Sequence, residues 1–594
     1  MMVHPTNLVI KMTPSYALLY PSDGFDHSER RFRRIPVAGI LNTIVAPATD
    51  RHRVEDHDVQ EAIQRLDALS IHGFDSPVHS FSSDELAKDL NLEQAVTHLL
   101  RPRFTPRFQQ HVLEHMPVNL ETTLYRQDGM RELIEKPEMA KGIEDGMELF
   151  AQLLCAISNR AYAFKHKLSW AMSRRHELKV LTPYNVPILQ GYTAMIDHFT
   201  TALEGAESGP MQRLRQYFAE VRESGFFKDV HPVFNVRCFK DHMVALDVSV
   251  GRDGVPTTSA AHGFQRASRV PTFKFLSQNP LGYVSAFFRT LRLPSTVVMD
   301  AMNTAVQRNL DDLLRVGEIV GATEFYTGGA AFYRRMSDIG MPVQLPTVLP
   351  KEERRMHLPQ ARNPLLLYQT GANERDVRRV VPNDVQYDAA RNIFVITGSN
   401  NGGKTCYVKT GGLLQLLGQN GLPVTAEGEA FLSVVDGLYT HFISPDDIMA
   451  GEGRLLNELR RVEEIFRKAT PYSYVILDEP CGGTDPVEGA RQSLIILDGF
   501  HRLGAIVYFT THLHDVANAI DGGRYTAGRN LHVEIIGDPQ SGRPIRTYKV
   551  VPGKATSSYG EEVARSVGLT PDGLAAVIAE RAEAGDFPRG LLRT

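Results

Sequence analysis

The sequence predicts a multidomain α + α/β chain, with a mostly helical first part followed by an α/β domain. Three observations carry that expectation. Between about 86 and 345, apolar residues recur at spacings of three and four, as in NLETTLYRQDGMRELIEK (119–136) and GMELFAQLLCAISNRAYAF (146–164). After the Pro-punctuated stretch MPVQLPTVLPKEERR (341–355) the pattern changes to strand, glycine loop, helix, strand. A chain of 594 residues also exceeds what one hydrophobic core serves, so about three or four domains are expected.

Residues 1 to 85 mix short strand-like runs with Pro, Gly and His and close on a helical stretch, DVQEAIQRLDALS. They read as an N-terminal region without an assigned role. A capping box, Ser82-x-x-Glu85, opens the next helix into AKDLNLEQAVTHLL (87–100). MQRLRQYFAEVRESGFF (211–227) and VVMDAMNTAVQRNLDDLLRVGEIV (297–320) continue the helical region. MVALDVSVGRDG (243–254) alternates apolar and polar residues before an Arg-Asp-Gly turn and predicts a hairpin. The stretch 341–355 is the expected linker. The predicted division is therefore 1–85, a helical domain over 86–350, an α/β domain over 351–575 and a tail over 576–594.

Composition narrows the class. The chain is 42% hydrophobic and 23% charged, as ordinary globular proteins are. A formal net charge of −4 means that contact with nucleic acid must come from local basic surface. Cys155, Cys238, Cys406 and Cys481 lie far apart without a CxxC pair, which argues against a disulfide framework or zinc ribbon and suits a reducing compartment. No apolar run reaches the length of a membrane span or signal peptide, so a cytoplasmic protein without a membrane partner is expected.

The chemistry concentrates in the last part. Ile393-Phe394-Val395-Ile396 runs into TGSNNGGKT (397–405), the pattern G-x-x-x-x-G-K-[ST]. Glycines allow the tight turn that points backbone N–H groups at a phosphate from a helix N-terminus. The loop Gly398, Ser399, Asn400, Asn401, Gly402, Gly403, Lys404, Thr405 and Cys406 is thus the expected nucleotide site. Lys404 is expected to reach the β- and γ-phosphates and the Thr405 hydroxyl to sit on Mg²⁺. A second apolar strand, Tyr474-Val475-Ile476-Leu477, ends in Asp478-Glu479. Asp478 is placed to hold the same metal and Glu479 to act as general base towards water. A third strand, Ala505 to Thr510, leads to Thr511-His512, where His512 is placed to sense the γ-phosphate. The expected ligands are therefore ATP and Mg²⁺.

Other features have plainer readings. His111-Val112-Leu113-Glu114-His115 fits a zinc-peptidase pattern, but no third ligand follows on a recognisable helix, which leaves a surface helix end. Basic residues interleave with rings over 160–179, around Trp170, and over 101–107; both segments suit a solvated basic face. Leu455, Leu459, Val462 and Phe466 form a stripe expected to pack in a core.

The order of these motifs resembles the MutS-type DNA mismatch-repair ATPases, a branch of the ABC-type ATPases. The family's TGPNMGGKST reads here as TGSNNGGKTC (397–406), and its VPND stands at 381–384. Its HPLL is similar to Asn363-Pro364-Leu365-Leu366, and its NATEYSLVLMDE to KATPYSYVILDE (468–479). GRGTS looks like CGGTD (481–485), ATH like TTH (510–512), and the segment ending in SYG recurs within PGKATSSYGEEVARSVGL (552–569). The likeness is dense from about 360 to 570 and weaker in the helical middle, at DLNLEQAV (89–96) and LETTLYRQDGMRELIEKPEM (120–139).

The resemblance implies a helical core and lever region followed by an ABC-type P-loop ATPase domain. It also implies a homodimer closed across ATP, with Gly453 and Asp485 as trans-contact candidates, and DNA as partner in repair or recombination. Three departures stand out. Gly453 takes the place of the family's signature serine, Val380 that of an aromatic that stacks on adenine, and residues 1–110 contain no Phe-x-Glu wedge for reading mismatches. Phe218-Ala219-Glu220 is the only match and falls inside a predicted helix. These departures keep open an ATP-driven module acting on RNA, ribosomes or a protein.

Overall fold

The computed structural model describes residues 18–19, 80–81, 83–167, 174–234, 242–250, 256–266, 295–309, 313–369, 377–398, 402–442, 454–537, 544–555 and 567–584. Most of 1–85, Trp170, Ser399 to Asn401, Gly453 and the SYG triplet at 558–560 lie outside them. The chain divides into two compact units. One contains Leu100–Val112 and Leu124–Arg334; the other contains His79–Leu99, Leu113–Thr123 and Arg335–Thr594.

This division differs from boundaries at 85 and 350. Two early segments fold with the C-terminal half because their side chains complete its core. β1 (Ser80–Phe81) pairs with β2 (Met116–Pro117), and Phe81 packs edge-on against Tyr439 at 4.9 Å. The Gln419 amide donates to the Pro117 carbonyl at 2.7 Å, and Arg461 donates to the buried Asp89 carboxylate at 2.6 Å. The expected linker is likewise part of this unit. Met341 and Val348 are buried, and Thr347–Leu349 joins a sheet.

In the first unit the long helices Pro137–Lys167 and Arg174–Ala202 approach closely where Gly146 faces the Phe199 ring, 2.7 Å from where a Cβ would sit. Phe199 in turn stacks on Phe218 at 4.4 Å. Phe218 is fully buried, so the Phe-x-Glu match is a core residue of its helix. Two segments read as single helices are divided. Gly209–Glu223 and Gly225–Phe234 break at Ser224, whose extended backbone ends the first helix. Ser295–Arg308 is followed by a 3₁₀ turn at Arg315–Glu318 before Val320–Asp338. The hairpin is present as antiparallel β3 (His242–Val250) and β4 (Pro256–Arg266). In the second unit the N-cap of the helix Asp84–Asp89 is Ser83, with extended backbone and no side-chain capping bond; its hydroxyl donates instead to the Glu85 carboxylate at 3.0 Å, and Ser82 of the expected box lies outside the described residues.

One carboxylate organises the entry to the helix Pro106–Glu114. Buried Glu324 accepts from the backbone N–H groups of Arg103, Phe104 and Thr105 at 2.8, 2.9 and 2.8 Å, and from the Thr105 hydroxyl at 2.7 Å. A negative group belongs at a helix N-terminus, where unpaired N–H groups collect.

The second unit holds two sheets. β5 (Thr347–Leu349), β6 (Met356–Ala361), β7 (Asn383–Tyr387) and β9 (Phe431–Ser433) form the smaller, in the order β5-β9-β6-β7. β8 (Ile393–Thr397), β10 (Leu438–His441), β11 (Tyr474–Asp478), β12 (Ile506–Thr510), β13 (Gly528–Gly537) and β14 (Pro544–Pro552) form the larger, in the order β10-β11-β12-β8-β13-β14. Its first five strands are parallel and only β14 runs against them. β8, β11 and β12 are buried along their whole length, as strands covered on both faces must be. Val475, Leu477, Val507 and Phe509 face one core with Val462, Ile465, Leu497 and Phe500. Tyr474 and Ile476 face the helix Lys404–Gln419, meeting Gly411 and Gly412. The stripe on Arg454–Lys468 is rotated from that expected: Val462 and Ile465 are buried, while Phe466 is exposed and touches Phe500 edge-on.

Glu324→Ala leaves three backbone donors buried without an acceptor, so it should destabilise the first unit by about 3 kcal/mol or more. A urea midpoint unchanged from wild type would rule out the staple.

Candidate functional site

The site forms where the parallel strands end. Asp478 closes β11 opposite Thr510 on β12, and Thr510 stands opposite Ile396 on β8. β8 feeds the glycine loop directly, so the loop and the acidic pair meet at one edge of the sheet. That carboxyl edge is where open parallel sheets place ligands.

Gly403 is the N-cap of the helix Lys404–Gln419, with a φ of 105°, a conformation that side chains disfavour. It offers no side-chain cap, so the first-turn N–H groups of the helix remain available for an anion. Lys404 is buried, and its ammonium donates to the Gly398 carbonyl at 2.8 Å and pairs with Glu479 at 3.0 Å. The Thr405 hydroxyl donates to Asp478 Oδ2 at 2.9 Å. Four of the sequence-predicted residues are thus in direct contact. His512 lies at their edge, with Nδ1 3.8 Å from Glu479 Oε2. A hydroxyl beside a carboxylate is a hard-oxygen donor set of the type Mg²⁺ takes, so the residues present fit that ion.

The two neighbouring acids are pushed apart. Burial raises the Asp478 carboxyl above the ordinary carboxylate range, against the hydrogen bonds from Thr510 and Thr405. His512 and Lys404 hold Glu479 down at about 2, so it is ionised at neutral pH. Glu479 also adopts a φ of 51°, a backbone conformation uncommon for a residue with a side chain. Such strain persists only where the surroundings over-determine it, and functional sites are where it collects.

The remaining expected residues fare differently. Cys406 follows Thr405, half-buried, and desolvation raises its thiol above the ordinary range. Asp485 is the N-cap of Pro486–Leu503, with Oδ1 accepting from the N–H groups of Val487 and Glu488 at 3.0 and 3.2 Å. Gly453 and Ser399 to Asn401 lie outside the described residues. Glu458 is buried and accepts from Cys481 N–H at 3.1 Å.

Sequence reasoning missed Tyr548. On β14, this half-exposed ring comes within 3.3 Å of the position a Gly403 Cβ would take. Asn383, in the VPND segment, ties it down: its amide donates to the Tyr548 carbonyl at 3.0 Å and its Oδ1 accepts from Val550 N–H at 2.7 Å. Val380 is buried and offers no platform. The signal was an aromatic residue on the strand before the 552–569 segment, which pairing with β13 brings to the loop.

Fold and site define an α/β domain in which a lysine, a hydroxyl and two carboxylates converge at the carboxyl edge of a parallel sheet. Residues 394–584 match MutS domain V. The chain is 33% identical to the DNA mismatch repair protein MutS of Lactobacillus helveticus over 190 residues, 32% of this chain and 22% of that protein. It is 36% identical to the endonuclease MutS2 of Thermomicrobium roseum over 222 residues, 37% of this chain and 26% of that protein. With MutS of Thermus aquaticus the identity is 35% over 189 residues, 32% of this chain and 22% of that protein. Over this C-terminal part the chain is similar to MutS-type proteins, and the likeness to these curated relatives spans 22% to 26% of their length.

Gly403→Ala forces a side chain into a left-handed conformation against Tyr548. It should lower stability by about 1–2 kcal/mol. Thermal unfolding beside Gly205→Ala, whose φ of 82° faces open space, separates backbone strain from the added clash with the ring.

Proposed function

We propose that this chain is a MutS-like ATPase whose nucleotide state switches its grip on DNA. The observation that carries the reading is the convergence of Lys404, Thr405, Asp478 and Glu479, with contacts of 2.9 and 3.0 Å joining loop to acidic strand. In this reading 351–575 is the P-loop ATPase domain and the helical region over 86–350 supplies the DNA-gripping core and lever. The glycine loop, Gly398 to Cys406, wraps the phosphates, and Thr405 and Asp478 hold Mg²⁺. Bound magnesium would neutralise charge on the phosphate oxygens.

Glu479, ionised and freed from Lys404 when that lysine turns to the phosphates, accepts a proton from the attacking water. His512 hydrogen-bonds the γ-phosphate. The Tyr548 ring, beside Gly403 and tied to the VPND segment, stacks on the base in place of the aromatic missing at position 380. A second subunit completes each site, with Gly453 and Asp485 facing the partner's nucleotide. ATP binding then closes the dimer and hydrolysis reopens it, which supplies the difference in affinity that a switch needs.

Duplex or branched DNA is the favoured target. Burial of Phe218 in its helix removes the one sequence match to a mismatch wedge, so mismatch reading is not required by this proposal.

Glu479→Gln should bind ATP but hydrolyse it at least roughly a hundredfold more slowly and accumulate as closed dimer, as loss of a general base predicts. Lys404→Ala should lose nucleotide affinity. Normal turnover in the first variant, or normal binding in the second, would refute these roles. ATPase rates with homoduplex, mismatched and four-way-junction DNA and with RNA, across a salt series, identify the target. A DNA clamp loses affinity steeply as salt rises. Tyr548→Ala should weaken ATP binding about tenfold while Tyr548→Phe should not, as a stacking role requires. Equal affinities in a fluorescence titration would exclude that role.

A further inference from the structure

Thr510 is fully buried at the end of β12, in register with Asp478 on one side and Ile396 on the other. Its hydroxyl touches both acidic residues. Oγ1 donates to Asp478 Oδ1 at 2.6 Å and accepts from the Glu479 N–H at 3.1 Å. The same N–H also reaches the Thr510 carbonyl at 3.1 Å. Neither bond is needed to hold the sheet, whose strands are already paired through their backbones.

The consequence for Asp478 is rotational. The terminal torsion of an aspartate is broad, so the carboxylate plane needs an external partner to settle it. Thr510 occupies Oδ1 and thereby turns Oδ2 towards the Thr405 hydroxyl, 2.9 Å away. The consequence for Glu479 is conformational. Its φ of 51° is uncommon for a residue with a side chain and must be imposed by neighbours. On one side its N–H is held by Thr510; on the other its carbonyl accepts from Gly482 N–H at 3.0 Å. One hydroxyl therefore sets the facing of the first acid and the backbone of the second.

We propose that Thr510 is a positioning residue of the metal–nucleotide site, one that orients Asp478 and Glu479 through its hydroxyl without touching substrate. The inference rests on the ATPase reading above.

The test compares Thr510→Ala, Thr510→Val and Thr510→Ser with wild type. A fluorescent ADP analogue is titrated in EDTA and then against Mg²⁺, with Mn²⁺ binding to the nucleotide complex followed by electron paramagnetic resonance. Steady-state ATPase kinetics complete the set. In EDTA all variants should bind nucleotide as wild type does, which also certifies their fold. With metal, Ala and Val should need roughly tenfold more Mg²⁺ or Mn²⁺ for half-saturation and lose kcat by a similar factor, with KM for ATP little changed; this is the size of effect expected for a hydrogen bond to a charged group. Ser, which keeps the hydroxyl, should restore both. Wild-type metal dependence in Ala and Val would overturn the proposal, as would a Ser variant as impaired as Val. A wild-type protein that binds nucleotide without any response to metal, or binds none, would instead defeat the ATPase reading itself.

Discussion

The register of three parallel strands is the constraint on which the site depends. Along β11, Tyr474 and Ile476 point at the helix Lys404–Gln419 while Val475 and Leu477 point at the opposite core. Side chains alternate along a strand, so Asp478 shares a face with Tyr474 and Ile476 and emerges on the side of Thr405. Sliding β11 by one residue would turn the acid away and drive its apolar residues to the wrong faces, which burial on both sides forbids. Hydrophobic packing far from any ligand thus fixes where the carboxylate stands. The chemistry at the sheet's edge inherits its geometry from the core.

Charge then sets the resting state. Lys404 and Asp478 are almost wholly buried, and a charge taken out of water must find partners. Lys404 finds Gly398 and Glu479; Asp478 finds Thr405 and Thr510. Under the proposed function, phosphate oxygens compete with Glu479 for the lysine. Arrival of the ligand and release of the base become one exchange. A hydrogen-bonded network that can trade one partner for another avoids the cost of ever leaving the ammonium unpaired.

The parts of this protein written locally were legible in the sequence. The glycine loop, the strand ending in Asp478-Glu479 and the strand before His512 are continuous runs whose period and end residues identify them. What escaped depends on long-range packing. Tyr548 reaches Gly403 only because β14 folds back on β13, and a single aromatic on an edge strand carries no mark of that. The stretch 341–355 looked like a linker because prolines punctuate it, yet Gln344 exchanges backbone hydrogen bonds with Val424 at 3.0 and 2.8 Å and Val348 is buried. Proline at a sheet edge and proline in a linker are written alike. The breaks at Ser224 and before Val320 fall where apolar spacing continues across the gap, so periodicity alone could not find them.

The ion pair between Arg461 and Asp89 ties an early segment to the α/β unit. Asp89 ends a short helix in the segment His79–Leu99, and Arg461 lies in the middle of Arg454–Lys468. Burial raises the Asp89 carboxyl, while Arg461 acts to lower it, and the same guanidinium also donates to the Thr440 carbonyl at 3.1 Å. Removing one partner of a buried pair typically costs about 3–5 kcal/mol, because the other charge is stranded. Moving Arg454–Lys468 without His79–Leu99 would incur a cost of that kind, so the two elements respond as one body. Under the proposed function, a movement of this helix on nucleotide binding would be felt far earlier in the sequence, within the same unit, with the Arg461–Asp89 pair as one of the contacts that carry it.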